Sequence, residues 1–147
     1  MRTQLADRPG IDVFLPLLER RSRWKDRVQR VQLPLFAGYC FVRFRSPDRL
    51  RVLKAVGVVG LVGPSGKPEP IPDREIEAIR TLAASRLTYE PFPFLAEGMM
   101  VEVLRGPLMG VRGRLLRKDR ELRVVLSVTL IRQSVSVVID AADVAPL

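Results

Sequence analysis

The sequence predicts an α+β protein in two parts: an N-terminal antiparallel sheet with flanking helices, and a small C-terminal β-barrel. Three observations lead to this class. An apolar stripe at helical spacing runs from Ile76 to Ala83. Residues 87–95, which contain two prolines, then break the helical period. After them, Val- and Leu-rich segments alternate with turn signals, which is typical of a compact all-β domain.

The first third of the chain predicts strands and an exposed arm. Apolar residues alternate with other residues from Ile11 to Leu15, which favours a short strand that ends at Pro16. Residues 17–30 are dense in Arg and Lys and predict a basic loop or hairpin arm. Residues 28–44 then predict two strand segments on either side of Pro34.

Two helices are predicted next. The first begins at Ser46-Pro47-Asp48, where a capping side chain, a proline and an acid suit a helix N-terminus. Its Leu50 and Leu53 are spaced for one buried face. Residues 56–63 are β-branched and interrupted by glycines, so they predict a bent strand. The second helix opens at Asp73, and its buried stripe is Ile76, Ile79, Leu82 and Ala83.

The C-terminal part is predicted to be all-β. It has about 50 residues, near the lower size for independent folding, and a closed barrel would protect its strand edges. We therefore predict a first domain over residues 1–86, a linker over 87–95 and a second domain over 96–147. The predicted strands of this second domain are residues 100–104, 114–117, 123–128 and 134–139.

Composition excludes most catalytic chemistry. The 147 residues include no histidine and a single cysteine, Cys40, so they supply no imidazole-based triad and no Cys-His zinc site. Phosphate-loop and dinucleotide motifs are absent as well. The sequence therefore predicts a protein that is not an enzyme and needs no cofactor or metal. No apolar run is long enough to cross a bilayer, so a cytoplasmic protein without membrane contact is expected. The protein is also expected to be a monomer.

The basic excess points to an anionic partner. Lys and Arg number 25 against 16 Asp and Glu, which gives a formal charge of +9. Arginine is the planar, bidentate partner of phosphate, but codon bias in a GC-rich genome would also enrich it. A nucleic-acid surface is predicted where basic residues flank an aromatic, and a solvated hairpin tip is the alternative. The residues of this basic arm are Arg20, Arg21, Arg23, Trp24 and Lys25.

A second candidate site is the loop Gly106-Pro107-Leu108-Met109-Gly110. Pro107 presets a turn, and the two glycines permit tight or positive-φ backbone around it. Leu108 and Met109 are thereby carried at a loop tip, where apolar side chains suit a partner contact. The alternative is that one of the two folds back over the end of the barrel.

Two stretches together resemble a known family. The stretch "PLFAGYCFVRF", residues 34–44, resembles the signature of the N-terminal (NGN) domain of NusG-type transcription elongation and antitermination factors. The stretch "EGMMVEVLRGPLMGVRGRL", residues 97–115, resembles a KOW motif, with glycines at 98, 106, 110 and 113. Their order, with "PIPDREIEAI" between them, resembles the whole NusG-type layout. The resemblance implies an NGN α/β sandwich followed by an SH3-like KOW barrel.

The resemblance also implies partners. The NGN domain of the family docks on the clamp helices of the largest RNA polymerase subunit through an apolar depression, and lies near the non-template DNA strand. The KOW domain contacts a small-subunit ribosomal protein or the termination factor Rho through the loop at residues 106–110. In this chain the residues expected to contact the polymerase are Phe14, Leu35, Phe36, Tyr39 and Phe41.

The sequence departs from the family pattern in two places. Family members carry an aromatic-rich strand and a helix ahead of the segment that starts here at Ile11. A start codon assigned too late and a true truncation both account for this, and we favour the first. Relatives often have Phe where this chain has Leu108. A KOW-type RNA-binding or ribosome-associated module that does not bind polymerase is the alternative function.

Overall fold

A computed structural model describes residues 10–24, 27–55, 57–64 and 67–147. For residues 20–24, 27–29 and Ser46 the description covers the backbone alone. The chain packs as two compact units, residues 1–70 and residues 71–147. Antiparallel sheets and short helices in both units confirm the α+β class, while the NGN sandwich and the closed barrel stay predictions.

The first unit contains two short antiparallel sheets. The predicted strand after Ile11 is confirmed: β1 pairs with β4, and Phe14 lies opposite Phe41. The basic arm is a hairpin in which β2 pairs with β3 along its whole length. The bounds of the four strands are Asp12–Phe14 (β1), Leu17–Trp24 (β2), Arg27–Pro34 (β3) and Phe41–Arg43 (β4).

The first helix forms where capping chemistry predicts it, but its buried face differs from the prediction. A 3-10 turn over Ser46–Asp48 leads into helix α1, Arg49–Leu53. Leu50 is 59% exposed and Leu53 is also exposed, so the predicted face was wrong. Val52 and Ala55 are buried instead, in a cluster with Ile11. A helix of five residues has little more than one turn, so the side that meets the core is decided by tertiary packing.

The bent strand predicted over residues 56–63 is also wrong for its described residues. Residues 57–63 form no strand, although Val58 and Leu61 pack against the cluster of Ile11, Val52 and Ala55. Val59 and Val62 are exposed, so the Val-rich composition indicates neither strand pairing nor burial of the whole segment. A β-branched side chain stabilises a strand only where a neighbouring strand is available to pair with it.

The second unit is one helix on a six-stranded antiparallel sheet. Helix α2, Asp73–Ala84, confirms the predicted stripe, because Ile79 and Leu82 are fully buried. The strand order is β10-β6-β7-β8-β9-β5, and neighbouring strands are antiparallel. The bounds are Tyr89–Phe92 (β5), Met100–Val103 (β6), Arg112–Lys118 (β7), Glu121–Val128 (β8), Gln133–Val138 (β9) and Val144–Pro146 (β10).

The predicted linker contains a strand. Within residues 87–95, β5 pairs with β9 and adds a sixth strand to the sheet. The sequence predicted no strand here because proline cannot donate a hydrogen bond to the ladder. Proline is nevertheless tolerated on an edge strand such as β5. The domain limits at residues 86 and 96 stay a prediction.

Helix α2 contacts the sheet of the same unit at β8. The Glu75 carboxylate accepts hydrogen bonds from the backbone N–H of Thr129 at 3.2 Å and from its hydroxyl at 3.1 Å. Thr129 begins the turn between β8 and β9, which Arg132 closes with a positive φ of 50°. The first turn of the helix is thereby tied to one end of the strand pair.

Candidate functional site

An aromatic cluster occupies the segment expected to contact RNA polymerase. Phe14 on β1 and Phe41 on β4 stack with ring centroids 6.0 Å apart and an interplanar angle of 25°. Phe36 meets Phe41 edge to face at 6.0 Å and 84°. Both arrangements are favourable for aromatic quadrupoles and add to the burial of the rings.

A tight turn lies between Phe36 and Tyr39. The N–H of Tyr39 donates to the carbonyl of Phe36 at 3.0 Å, and Gly38 between them has a φ of +83°. Only glycine adopts that backbone without strain. The N–H of Leu35 donates to the carbonyl of Pro16 at 2.9 Å, which ties the entry of the turn to the start of β2.

The turn sends some predicted contact residues inward and leaves others at the surface. Phe36 is 1% exposed, and Leu35 and Phe41 are buried too. Phe14 and Tyr39 are half-buried. The structure thus brings all five residues into one region and makes three of them its interior. A role of any of them in polymerase contact stays a prediction.

The loop at residues 106–110 is a hydrogen-bonded turn. The N–H of Met109 donates to Gly106 at 3.1 Å, and the N–H of Gly110 donates to Val103 at 2.8 Å. Gly106 and Gly110 have φ values of +89° and +87°. The positive-φ geometry expected of the two glycines is therefore confirmed.

The two apolar side chains of this loop differ in burial. Leu108 is 2% exposed and belongs to the core, whereas Met109 is 69% exposed. The sequence left open whether one of the two folds back, and the structure shows that Leu108 does. Leu104, at the end of β6, is exposed as well. An unbranched, polarisable side chain held on a fixed turn is suited to contact with another protein.

The basic arm lies partly outside the described residues. Arg20, Arg21, Arg23 and Trp24 lie on β2, for which only the backbone is described here, and Lys25 is outside. Arg21 is in register with Arg30 of β3. The nucleic-acid surface predicted for this arm stays a prediction.

The sequence did not predict a charged cluster that lies on the six-stranded sheet of the second unit. Arg123 of β8 donates to Glu121 at 2.7 Å, to Ser136 of β9 at 3.0 Å, and to Glu90 of β5. These acceptors, Glu121 first and Glu90 second, raise the pKa of Arg123 above its ordinary value. The spacing of Glu121 and Arg123 on one strand face could have predicted their contact. Glu90 lies 33 residues away from Arg123 in sequence, and only the fold brings the two together.

Comparison with known families decides the assignment. The NusG model, described as transcription termination factor nusG, matches residues 1–80. The chain belongs to the NusG family. The NusG match includes β1–β4, α1 and most of α2, and thus the aromatic cluster around Phe36. A comparison with curated proteins gave no significant match.

Membership in the NusG family places the chain among transcription factors that act without catalysis. The match ends before β5, so the assignment of a KOW motif to residues 97–115 rests on sequence resemblance. No described helix is both long and apolar enough to span a membrane.

Proposed function

We propose that this chain is a transcription elongation or antitermination factor that binds the RNA polymerase clamp through its N-terminal half. The observation that carries the proposal is the NusG match over residues 1–80, which contains the aromatic cluster. On this proposal Phe14 and Tyr39, the two half-buried members, make the contact. Leu35, Phe36 and Phe41 form the floor beneath them.

The proposed mechanism is a population shift. A factor that binds the closed clamp better than the open clamp raises the closed population by its difference in affinity. Less frequent opening suppresses pausing or changes termination, and requires no chemical step. The basic excess of residues 1–70 supports a location close to the negatively charged nucleic acid of the elongation complex.

The C-terminal half, with its KOW-like motif and proposed SH3-like barrel, recruits the second partner on this proposal. Met109 is presented on a turn whose backbone is fixed by two hydrogen bonds, so little conformational entropy would be lost on binding. The partner class is a small-subunit ribosomal protein or Rho. Met109→Ser, with Leu104 kept, tests the tip without disturbing buried Leu108.

The decisive experiment is co-migration of the purified chain with core RNA polymerase in an elongation complex. Tyr39→Asp places a charge on the half-buried turn and should weaken binding at least tenfold, whereas Tyr39→Phe should bind like the parent. Leu50→Asp is the matched control, because Leu50 is exposed, apolar and in the same unit but outside the predicted contact. Phe36 is left intact because it is buried and its loss would destabilise the fold.

The outcomes separate the candidate functions. Weaker binding by Tyr39→Asp alone supports the proposed site. Weaker binding by Leu50→Asp alone moves the contact to α1. If the folded parent chain binds RNA but no polymerase, the alternative of an RNA-binding or ribosome-associated module replaces this proposal.

A further inference from the structure

Strand β5 pairs with the outer edge of β9 and is called the cover below. The side chains of β9 are more deeply buried than those of β5. Ser134, Val135, Ser136 and Val137 of β9 are all buried. The four residues of β5 pair with these same positions, yet two of the four are exposed and none is buried. The edge of a buried strand, β9, is therefore paired by a strand, β5, that is itself partly exposed.

The central contact of the cover is electrostatic. The Arg123 guanidinium joins β5 to the sheet through Glu90, while its Nε lies buried with no partner among the described residues. The Arg123 side chain is 15% exposed and that of Glu90 is 58% exposed. An ion pair with one partner this exposed contributes about 0–1 kcal/mol and weakens with salt.

Further contacts of the cover lie at its C-terminal end. Phe92 lies 5.9 Å from the Lys118 ammonium, and Phe94 lies 4.5 Å from the Arg132 guanidinium. The N–H of Leu95 donates to the Ser134 hydroxyl at 3.2 Å. These are cation–π and polar contacts at the rim rather than apolar burial.

The backbone pairing of β5 spans four residues, Tyr89–Phe92. Pro91 lies opposite Val135 and has no N–H to donate to the ladder. A strand of four residues on an edge, with a proline and no buried side chain, opens at a lower free energy than the core strand beside it. When β5 leaves, β9 offers a preformed row of N–H and C=O groups, and Arg123 loses Glu90 while it keeps Glu121 and Ser136.

We propose that the outer edge of β9 is an exchangeable pairing surface, which β5 occupies in the closed state and an extended segment of a partner protein occupies in the open state. The partner segment resembles β5 in chemistry: an acid that reaches Arg123, followed two residues later by an aromatic. Strand addition of this kind draws affinity from main-chain hydrogen bonds and specificity from alternate side chains. The surface differs from the 106–110 loop and does not depend on polymerase binding.

The first test is hydrogen exchange on the full chain. Glu90→Gln removes the charge that Arg123 holds and should speed exchange of the β5 amides that pair with β9 by about fivefold, with β8 unchanged. Glu102→Gln is the matched control, because Glu102 also pairs across strands, with Arg112 at 3.4 Å. Equal exchange of β5 in both variants would overturn the proposal.

The second test uses a labelled peptide that copies residues 88–95, "TYEPFPFL". The Glu90→Gln chain should bind this peptide more tightly than the Glu102→Gln chain does, by up to about fivefold. A peptide with Gln in place of its Glu should lose that gain. Equal binding to both variants, or equal binding of both peptides, would show that the edge is not an exchangeable site.

Discussion

The two halves of the chain differ most in charge. Residues 1–70 hold 14 Lys and Arg against six Asp and Glu, a net charge of +8, whereas residues 71–147 hold 11 against 10, a net charge of +1. The first half contains two-stranded sheets and the second a six-stranded sheet. The basic excess therefore belongs to residues 1–70. A codon bias toward arginine that acts on the whole chain does not explain why this half also has fewer Asp and Glu residues.

Salt bridges form in both halves of the chain. In the second half, Arg105, Arg112 and Arg123 each pair with a carboxylate, of Asp143, Glu102 and Glu90 respectively. In the first half, the pairs recorded among described side chains are Arg30–Glu19 and Arg51–Asp48. The difference between the halves is therefore one of net charge: acids nearly balance bases in the second half, and bases exceed acids in the first.

The largest effect is expected in the core of the first half. Phe36→Ala removes a fully buried ring from its contact with Phe41 and should lower the free energy of unfolding by about 3–5 kcal/mol. Leu33→Ala, at an exposed position of β3, is the control and should cost less than about 1 kcal/mol. Urea unfolding followed by circular dichroism measures both. Similar losses for the two would mean that the first half has no aromatic core.

Salt dependence tests the charge comparison directly. If the four cations of the basic arm contact phosphates, the affinity for a short DNA duplex should fall about a hundredfold between about 50 and 200 mM salt. Changing all four to Gln should flatten that slope, as measured by fluorescence anisotropy. The arm residues changed are Arg20, Arg21, Arg23 and Lys25.

The control for this experiment lies in the electrically balanced half. Four exposed arginines there, changed together to Gln, should leave the salt slope as it was. If they flatten it instead, DNA binding belongs to the second half. The control residues are Arg74, Arg86, Arg117 and Arg120.

An intermediate effect is expected at the sheet of the second half. A Cβ on Gly113 would lie 2.6 Å from Val124 Cγ1 and 2.9 Å from the Val125 carbonyl, so Gly113→Ala should cost about 1–3 kcal/mol of stability. Gly60 has open space around its Cβ position, and Gly60→Ala should change stability by less than about 1 kcal/mol. Thermal unfolding measures both, and a neutral Gly113→Ala would contradict the packing of β7 on β8.

The smallest effect is expected where α2 meets the sheet. Glu75→Gln replaces a carboxylate that accepts two hydrogen bonds from Thr129 and should cost about 1 kcal/mol. Glu77→Gln, which loses only a 3.9 Å exposed pair with Arg80, should cost about half of that or less. Denaturant midpoints compared at constant slope give both values. A greater loss for Glu77→Gln would mean that the helix contact with β8 contributes no stability.

Local patterns predicted the regular elements with strong periodicity. Helix α2 and the strands β6 to β9 follow from apolar spacing, and the positive φ of Gly106 and Gly110 follows from the turn they flank. The pattern failed at Leu50 and Leu53, because a helix of one turn has no periodicity long enough to fix its buried face. It failed at β5 because its prolines predict a break, and only the exposed edge of β9 makes room for such a strand.

The sequence by itself determined the charge excess, the absence of histidine chemistry, the family signature and the turn glycines, since each depends on residue type or short-range spacing. Tertiary structure alone decided that Leu108 folds inward while Met109 stays exposed, that Phe36 is interior while Tyr39 is half-buried, and that Glu90 meets Arg123. The physical reason is the same in each case. Burial and long-range pairing depend on which surfaces meet, and neighbours in sequence such as Leu108 and Met109 carry no local signal that distinguishes them.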